Sequence, residues 1–109
     1  MQRLHEAADI VLGIEQAMRD ADFWHDHVPT PAAMASRTPF CADTLAFSEW
    51  LQFVFLPRIR ALIEDNGALP TASAIAPLAE EALEERLGKS ELVAHLQRFD
   101  ALIGGNPRV

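Results

Sequence analysis

From Leu45 to Ile63 the chain is apolar on every face a helix could present, yet Pro57 stands within it. Between Leu45 and Leu56 only Ser48, Glu49 and Gln52 are polar. Side chains this apolar all round need protein on every side, which places the segment in the middle of a helical bundle. A proline there lacks the N–H of the helical ladder, and its ring meets the preceding turn. The helix must therefore kink or restart at that point.

The flanking segments supply the rest of the bundle. Leu4, Ala7, Ala8, Val11, Ile14, Met18 and Ala21 recur at helical spacing, with Glu6, Asp9, Gln16 and Asp20 largely opposite, and predict a first helix over residues 3–21. Asp22 to Asp43 breaks that period and holds Pro29, Pro31 and Pro39, so it reads as a long loop without strand alternation. Connections of this length in compact domains are commonly packed or functional, and Trp24, Met34 and Phe40 would anchor this one across the bundle. Asp43 or Thr44 caps a second helix from about Ala46 to Leu56, which restarts at Pro57, where a missing N–H does no harm. It carries Ile59, Leu62 and Ile63 inward and stops at Asn66-Gly67. An extended link from Leu69 leads to Ala76-Pro77, which opens a third helix ended by Gly88. Its acids Glu80, Glu81, Glu84 and Glu85 form a solvated face. Ser90 caps a fourth helix, whose stripe of Leu92, Val93, Leu96, Phe99, Leu102 and Ile103 stops at Gly104-Gly105. The fold class is all-α. The expected architecture is a single domain over 1–109, a four-helix bundle with a Pro-kinked central second helix and a long Pro-containing loop between helices 1 and 2.

Nine basic against sixteen acidic residues give a formal charge of −7. That balance opposes direct binding to nucleic acid or anionic lipid and suits a basic partner. Cys41, the single cysteine, excludes an internal disulfide and fits a reducing compartment. The longest apolar run, Phe53 to Pro57, is far short of the roughly 20 residues that span a bilayer, and the N-terminal pattern is not that of a signal peptide. The expectation is a soluble cytoplasmic protein without membrane contact.

Side chains that could carry chemistry are few. His25 and His27 could converge on a metal only from an extended or turn backbone, and a closed site takes four ligands; neither His5 nor His95 stands at a ligand spacing. A solvated loop start is the simpler reading. Cys41 lies between Phe40 and Ala42 with no Cys–His signature, as a packed thiol does. No phosphate-cradling glycine loop and no Ser/His/Asp arrangement occurs, so no catalytic residue, cofactor or metal is assigned. The polar exceptions on the apolar helix are more suggestive. Glu49 and Gln52 share a face, Asp43 and Thr44 precede them, and Arg58 follows Pro57. These five are the candidate ligand or partner contacts, as a pocket for a small anion or a peptide carboxylate. The competing structural reading has them serving the loop's backbone groups. Trp50 and Phe53 share a helical face while Phe55 points elsewhere; most of this aromatic surface is expected in the core.

Pro39-Phe40, Asp43-Thr44, Glu49-Trp50-Leu51-Gln52-Phe53, Leu56-Pro57-Arg58, Leu69-Pro70 and Ala76-Pro77 together resemble the YqcC-like family of small bacterial proteins. The similarity is strongest from Thr38 to Leu83, and Trp24 and Asp100-Ala101-Leu102 also fit. The resemblance implies a helical bundle. Through a loose association with tRNA pseudouridine synthase C, it also implies a protein partner among RNA-modifying enzymes. The leading expectation is a non-catalytic protein-interaction module, accessory to such an enzyme. The alternative is a small-ligand-binding protein with a pocket between the long loop and the kinked helix, and an enzyme using Glu49 or Cys41 ranks third.

Overall fold

The computed structural model describes residues 2–70 and 73–104, and all regular structure among them is helical. Helix α1 (Gln2–Asp20) closes with Asp22 in the left-handed region at φ 62°, the Asp22 N–H on the Arg19 carbonyl and the Phe23 N–H on the Met18 carbonyl at 2.8 Å. This paired closure satisfies the last carbonyls of the helix and turns the buried Phe23 back onto the core. The long loop then makes two short helical turns, α2 (Pro31–Met34) and a 3-10 turn (Pro39–Cys41). Pro31 and Pro39 break a continuous helix but start these turns, and the Thr30 hydroxyl caps the first by accepting the Ala33 N–H at 3.1 Å.

The apolar segment forms α3 (Phe47–Trp50), a π-turn (Leu51–Phe55) and α4 (Leu56–Glu64) in unbroken succession. The restart expected at Pro57 takes the form of this wider turn. The Leu56 N–H reaches back five residues to the Leu51 carbonyl, making room for a ring that would collide with the carbonyl of Phe53 in a regular α-helix. The winding also resets the faces. Residues five apart diverge on an α-helix, but here Trp50 and Phe55 lie against each other with ring centroids 5.5 Å apart. Leu51, Phe55, Leu56 and Ile59 are buried, while Phe53 and Val54 are half-buried. The face shared by Trp50 and Phe53 in the sequence reading is thus replaced by one shared by Trp50 and Phe55. Asn66, at φ 53°, supplies the left-handed stop after α4, and the Gly67 N–H bonds to the Leu62 carbonyl.

Helix α5 (Ile75–Ala82) is shorter than expected: Leu83 is already extended, five residues before the glycine that was to end the helix. The reason lies on α6 (Lys89–Gly104), which grips α5 at both ends. The Asp100 carboxylate accepts the Ile75 and Ala76 N–H groups at 3.0 and 2.8 Å, and the buried Lys89 ammonium donates to the Glu80 and Leu83 carbonyls at 2.8 and 2.9 Å. An acid thus meets the positive end of the α5 dipole and a base its negative end. Gly88 serves a different purpose from ending the helix. At φ +94° it lets the chain pass Ala21 so closely that an added Cβ would stand 2.9 Å from the Ala21 methyl. Gly105, part of the expected stop after α6, and residues 71–72 of the extended link lie outside the described residues.

Helix α6 packs against α1 in the most extensive contact of the bundle and against α5 on another side, while α1 also meets α4. Ile14, Met18, Leu51, Leu56, Leu92, Leu96 and Phe99 close the core. No helix among the described residues is long and apolar enough to cross a membrane.

Candidate functional site

The five polar candidates occupy two places. Four sit where the long loop enters the apolar helix, and each has a partner within the chain. The Asp43 carboxylate accepts the Ser36 hydroxyl at 2.5 Å, and the Thr44 hydroxyl donates to the Ala33 carbonyl at 2.6 Å. Glu49 accepts the Ala46 N–H at 2.8 Å, closing the first turn of α3 from within. Gln52, buried, holds both backbone groups of His25: it accepts the N–H at 2.8 Å and donates to the carbonyl at 2.9 Å. Arg58 stands apart, exposed on α4 beyond the π-turn. Of the residues expected to line one pocket with Arg58, Glu49 closes the start of α3 and Gln52 is engaged with the loop backbone, which must find partners when it is packed down.

Other side chains complete the clasp. The His25 ring shares a hydrogen bond with Ser48 at 2.8 Å, while the exposed His27 pairs with Asp26, so the two imidazoles face different partners. The Arg19 guanidinium lies 4.3 Å over the Trp24 ring. Arg86 lies 4.3 Å over the Phe23 ring, donates to the Asp22 carbonyl at 2.7 Å and pairs with Glu84. Cys41 is buried, its sulfur 3.8 Å from the Met34 carbonyl. Chiefly the hydrogen bond from Ser36 holds the Asp43 carboxyl below its ordinary range, against an opposing desolvation and with lesser help from its own backbone N–H and Thr38.

Above this clasp the aromatic side chains form a continuous series from surface to core. Phe40 meets Trp50 edge-on at 4.9 Å, Phe47 stacks on Trp50 at 5.8 Å, and Phe55 joins Trp50 to Phe99. Phe40 remains 37% exposed, and its backbone is left-handed at φ 60°, as is that of Cys41 at φ 51°. Two consecutive non-glycine residues in that region are strained, and such strain gathers at functional sites. Beside them opens an apolar groove of about 210 Å³, walled by Phe40, Ala42, Leu45 and Phe47 on the loop side and by Leu78 and Ala82 of α5. A second cavity of about 230 Å³ shares Phe47 and Ala82 with it and is lined further along by His25, Ser48, Glu84 and Arg86. What distinguishes this trough is the groove's lining of apolar side chains alone; larger hollows of about 620 and 320 Å³ lie among residues of α5, α6 and their link, with polar and charged side chains in their walls. Phe47 and Leu78, which the sequence analysis does not single out, belong to the groove. The spacing of Leu78 and Ala82, one turn apart and off the buried Ile75–Ala79 face, is the signal that was available.

The family model DUF446, described as tRNA pseudouridine synthase C, matches residues 6–102. The chain belongs to this family. An uncharacterised protein of Haemophilus influenzae is 37% identical over 93 residues, which cover 85% of this chain and 88% of that one. YqcC of Escherichia coli, likewise uncharacterised, is 36% identical over 90 residues, 82% and 83% of the two chains. Its solution NMR structure matches the present fold with a TM-score of 0.83 at 30% identity, covering 100% of this chain and 94% of that one. A protein of Pectobacterium carotovorum named tRNA pseudouridine synthase C is 41% identical over 70 residues. That stretch is 64% of this chain but only 19% of the synthase.

Proposed function

We propose that this chain is a non-catalytic interaction module that docks on a tRNA-modifying enzyme, tRNA pseudouridine synthase C. The observation that carries the reading is the last match. A segment resembling this bundle forms about a fifth of a longer protein bearing the synthase's name, at 19% of its length. Two units that share one polypeptide in one organism are well placed to associate as separate chains in another. The charge supports the same direction: at −7 this chain is a poor ligand for RNA and a good one for an enzyme whose surface must attract tRNA phosphates. The polar candidates lend support as parts of the scaffold, since Asp43, Thr44, Glu49 and Gln52 hold the loop that forms one wall of the trough. The module works in the cytoplasm, beside the tRNA-modifying machinery.

Calorimetric titration of the purified chain into purified tRNA pseudouridine synthase C of the same organism tests the reading. The expected result is saturable one-to-one association with a Kd in the micromolar range, about −8 kcal/mol. No heat and no co-elution at concentrations roughly a hundredfold above that value would overturn it.

A further inference from the structure

Resting on that reading, we propose that the synthase inserts a short amphipathic segment, apolar on one side and carrying Lys or Arg on the other, into the trough between the loop and α5. The apolar side of the occupant follows from the walls. All six side chains around the groove are apolar, and Phe40 is held outward by a backbone that a phenylalanine adopts only under strain. Contact with Trp50 and Phe47 fixes its ring as part of a rigid wall. Rigid aromatic walls around a small apolar depression are where a few anchoring side chains supply most of an interface's binding energy.

The positive side of the occupant follows from the rim. Glu81 stands one turn from Leu78 and is exposed on α5, and Asp22 and Glu84 line the second cavity. Arg86 lines the same cavity and offsets Glu84, with which it is paired, and Arg37 is the loop's own exposed base; among the described residues Asp22 and Glu81 have no such basic partner in the walls. The balance around the trough remains acidic, and rim charges of one sign steer and select partners of the other. Because the apolar groove continues into the second cavity at Phe47 and Ala82, it suits a segment rather than an isolated side chain.

The test follows the amide shifts and the Kd of the full chain on titration with tRNA pseudouridine synthase C, for the wild type, Ala82→Arg, Glu81→Lys and Leu12→Glu. Ala82, Glu81 and Leu12 are all exposed, and Leu12 lies on α1 away from the trough lining, so thermal unfolding should be unchanged in each variant. Expected are shifts confined to the trough, a loss of about tenfold or more for Ala82→Arg, several-fold weaker and less salt-sensitive binding for Glu81→Lys, and no change beyond about twofold for Leu12→Glu. Wild-type binding that Ala82→Arg leaves intact would sink the trough while the accessory reading stood. No binding by the wild type would remove both. Shifts of the trough by tRNA alone, without the synthase, would also overturn the proposal.

Discussion

The crossing of α1 over α6 and the loop joining α1 to α3 are both fixed, but by opposite means. At the crossing the helices come so close that a Cβ on Gly13 would stand 2.8 Å from the His95 ring. Almost no polar bond spans it: His95 Nδ1, buried there, has no hydrogen-bond partner among the described residues. Shape alone sets the distance. In the loop few side chains are fully enclosed, and position comes from side chains gripping backbone: Gln52 on His25, Thr44 on Ala33, Glu49 on Ala46. Packing of the first kind is stable and uninformative to a partner. The second kind holds a surface in a defined shape while leaving it open, which is what a docking wall requires.

Gly13→Ala should separate the two regimes most strongly. Alanine gains up to about 1 kcal/mol in helix preference, but the new methyl would stand 2.8 Å from the His95 ring, which must shift to admit it, at a typical overpacking penalty of about 1–3 kcal/mol. The expected outcome is a lower urea midpoint with an unchanged denaturant slope. In a His95→Ala background the same substitution should become neutral or stabilising, because only the helix preference remains. If Gly13→Ala stabilises the otherwise unaltered chain, the crossing is looser than its geometry indicates and shape does not set the distance between the helices.

The two regions were unequally legible. The α1 and α6 stripes could be read directly, since Ile14, Met18, Leu92, Leu96 and Phe99 follow a period that needs no knowledge of neighbours. Glu49 as the internal partner of the α3 start could be read from its three-residue spacing. Gln52 could not, because its partner His25 lies 27 residues away and is a backbone group, which leaves no trace in residue type. The same holds for Asp100 and Lys89, whose grip on α5 shortened a helix that local pattern extended to Gly88. The π-turn was signalled by Pro57, but its consequence, Trp50 over Phe55, depended on how the chain relieved the proline. Phe40 was least legible of all, since nothing in its type favours a left-handed backbone.

Gln52→Ala probes the loop in the same way that Gly13→Ala probes the crossing. Removing the amide frees the His25 N–H and carbonyl, both at the edge of the fold where water can replace what is lost, so the global cost should be about 1–2 kcal/mol for the two bonds. The diagnostic is locality. Amide exchange at His25 should accelerate through local opening, while amides of α6 change only with the small fall in global stability. A uniform acceleration across the bundle would show that the loop is part of the cooperative core and unfolds with it.

The smallest effect lies at Ser36–Asp43 and bears on whether the loop wall responds to pH. Asp43 has its folded pKa lowered, chiefly by the Ser36 hydroxyl, so its contribution is present above the unfolded carboxylate value of about 3.9 and is lost as pH falls through the folded one. Near neutral pH Asp43 is therefore ionised, and its contribution to the wall does not change with pH there. Ser36→Ala should raise the Asp43 titration midpoint toward the ordinary range, read from its side-chain carboxyl resonance, and should shift the amides of Ser36 to Thr44 while leaving α1 and α6 untouched. A midpoint that does not move would mean that the 2.5 Å contact does not persist in solution, and that Asp43 takes no part in holding the wall.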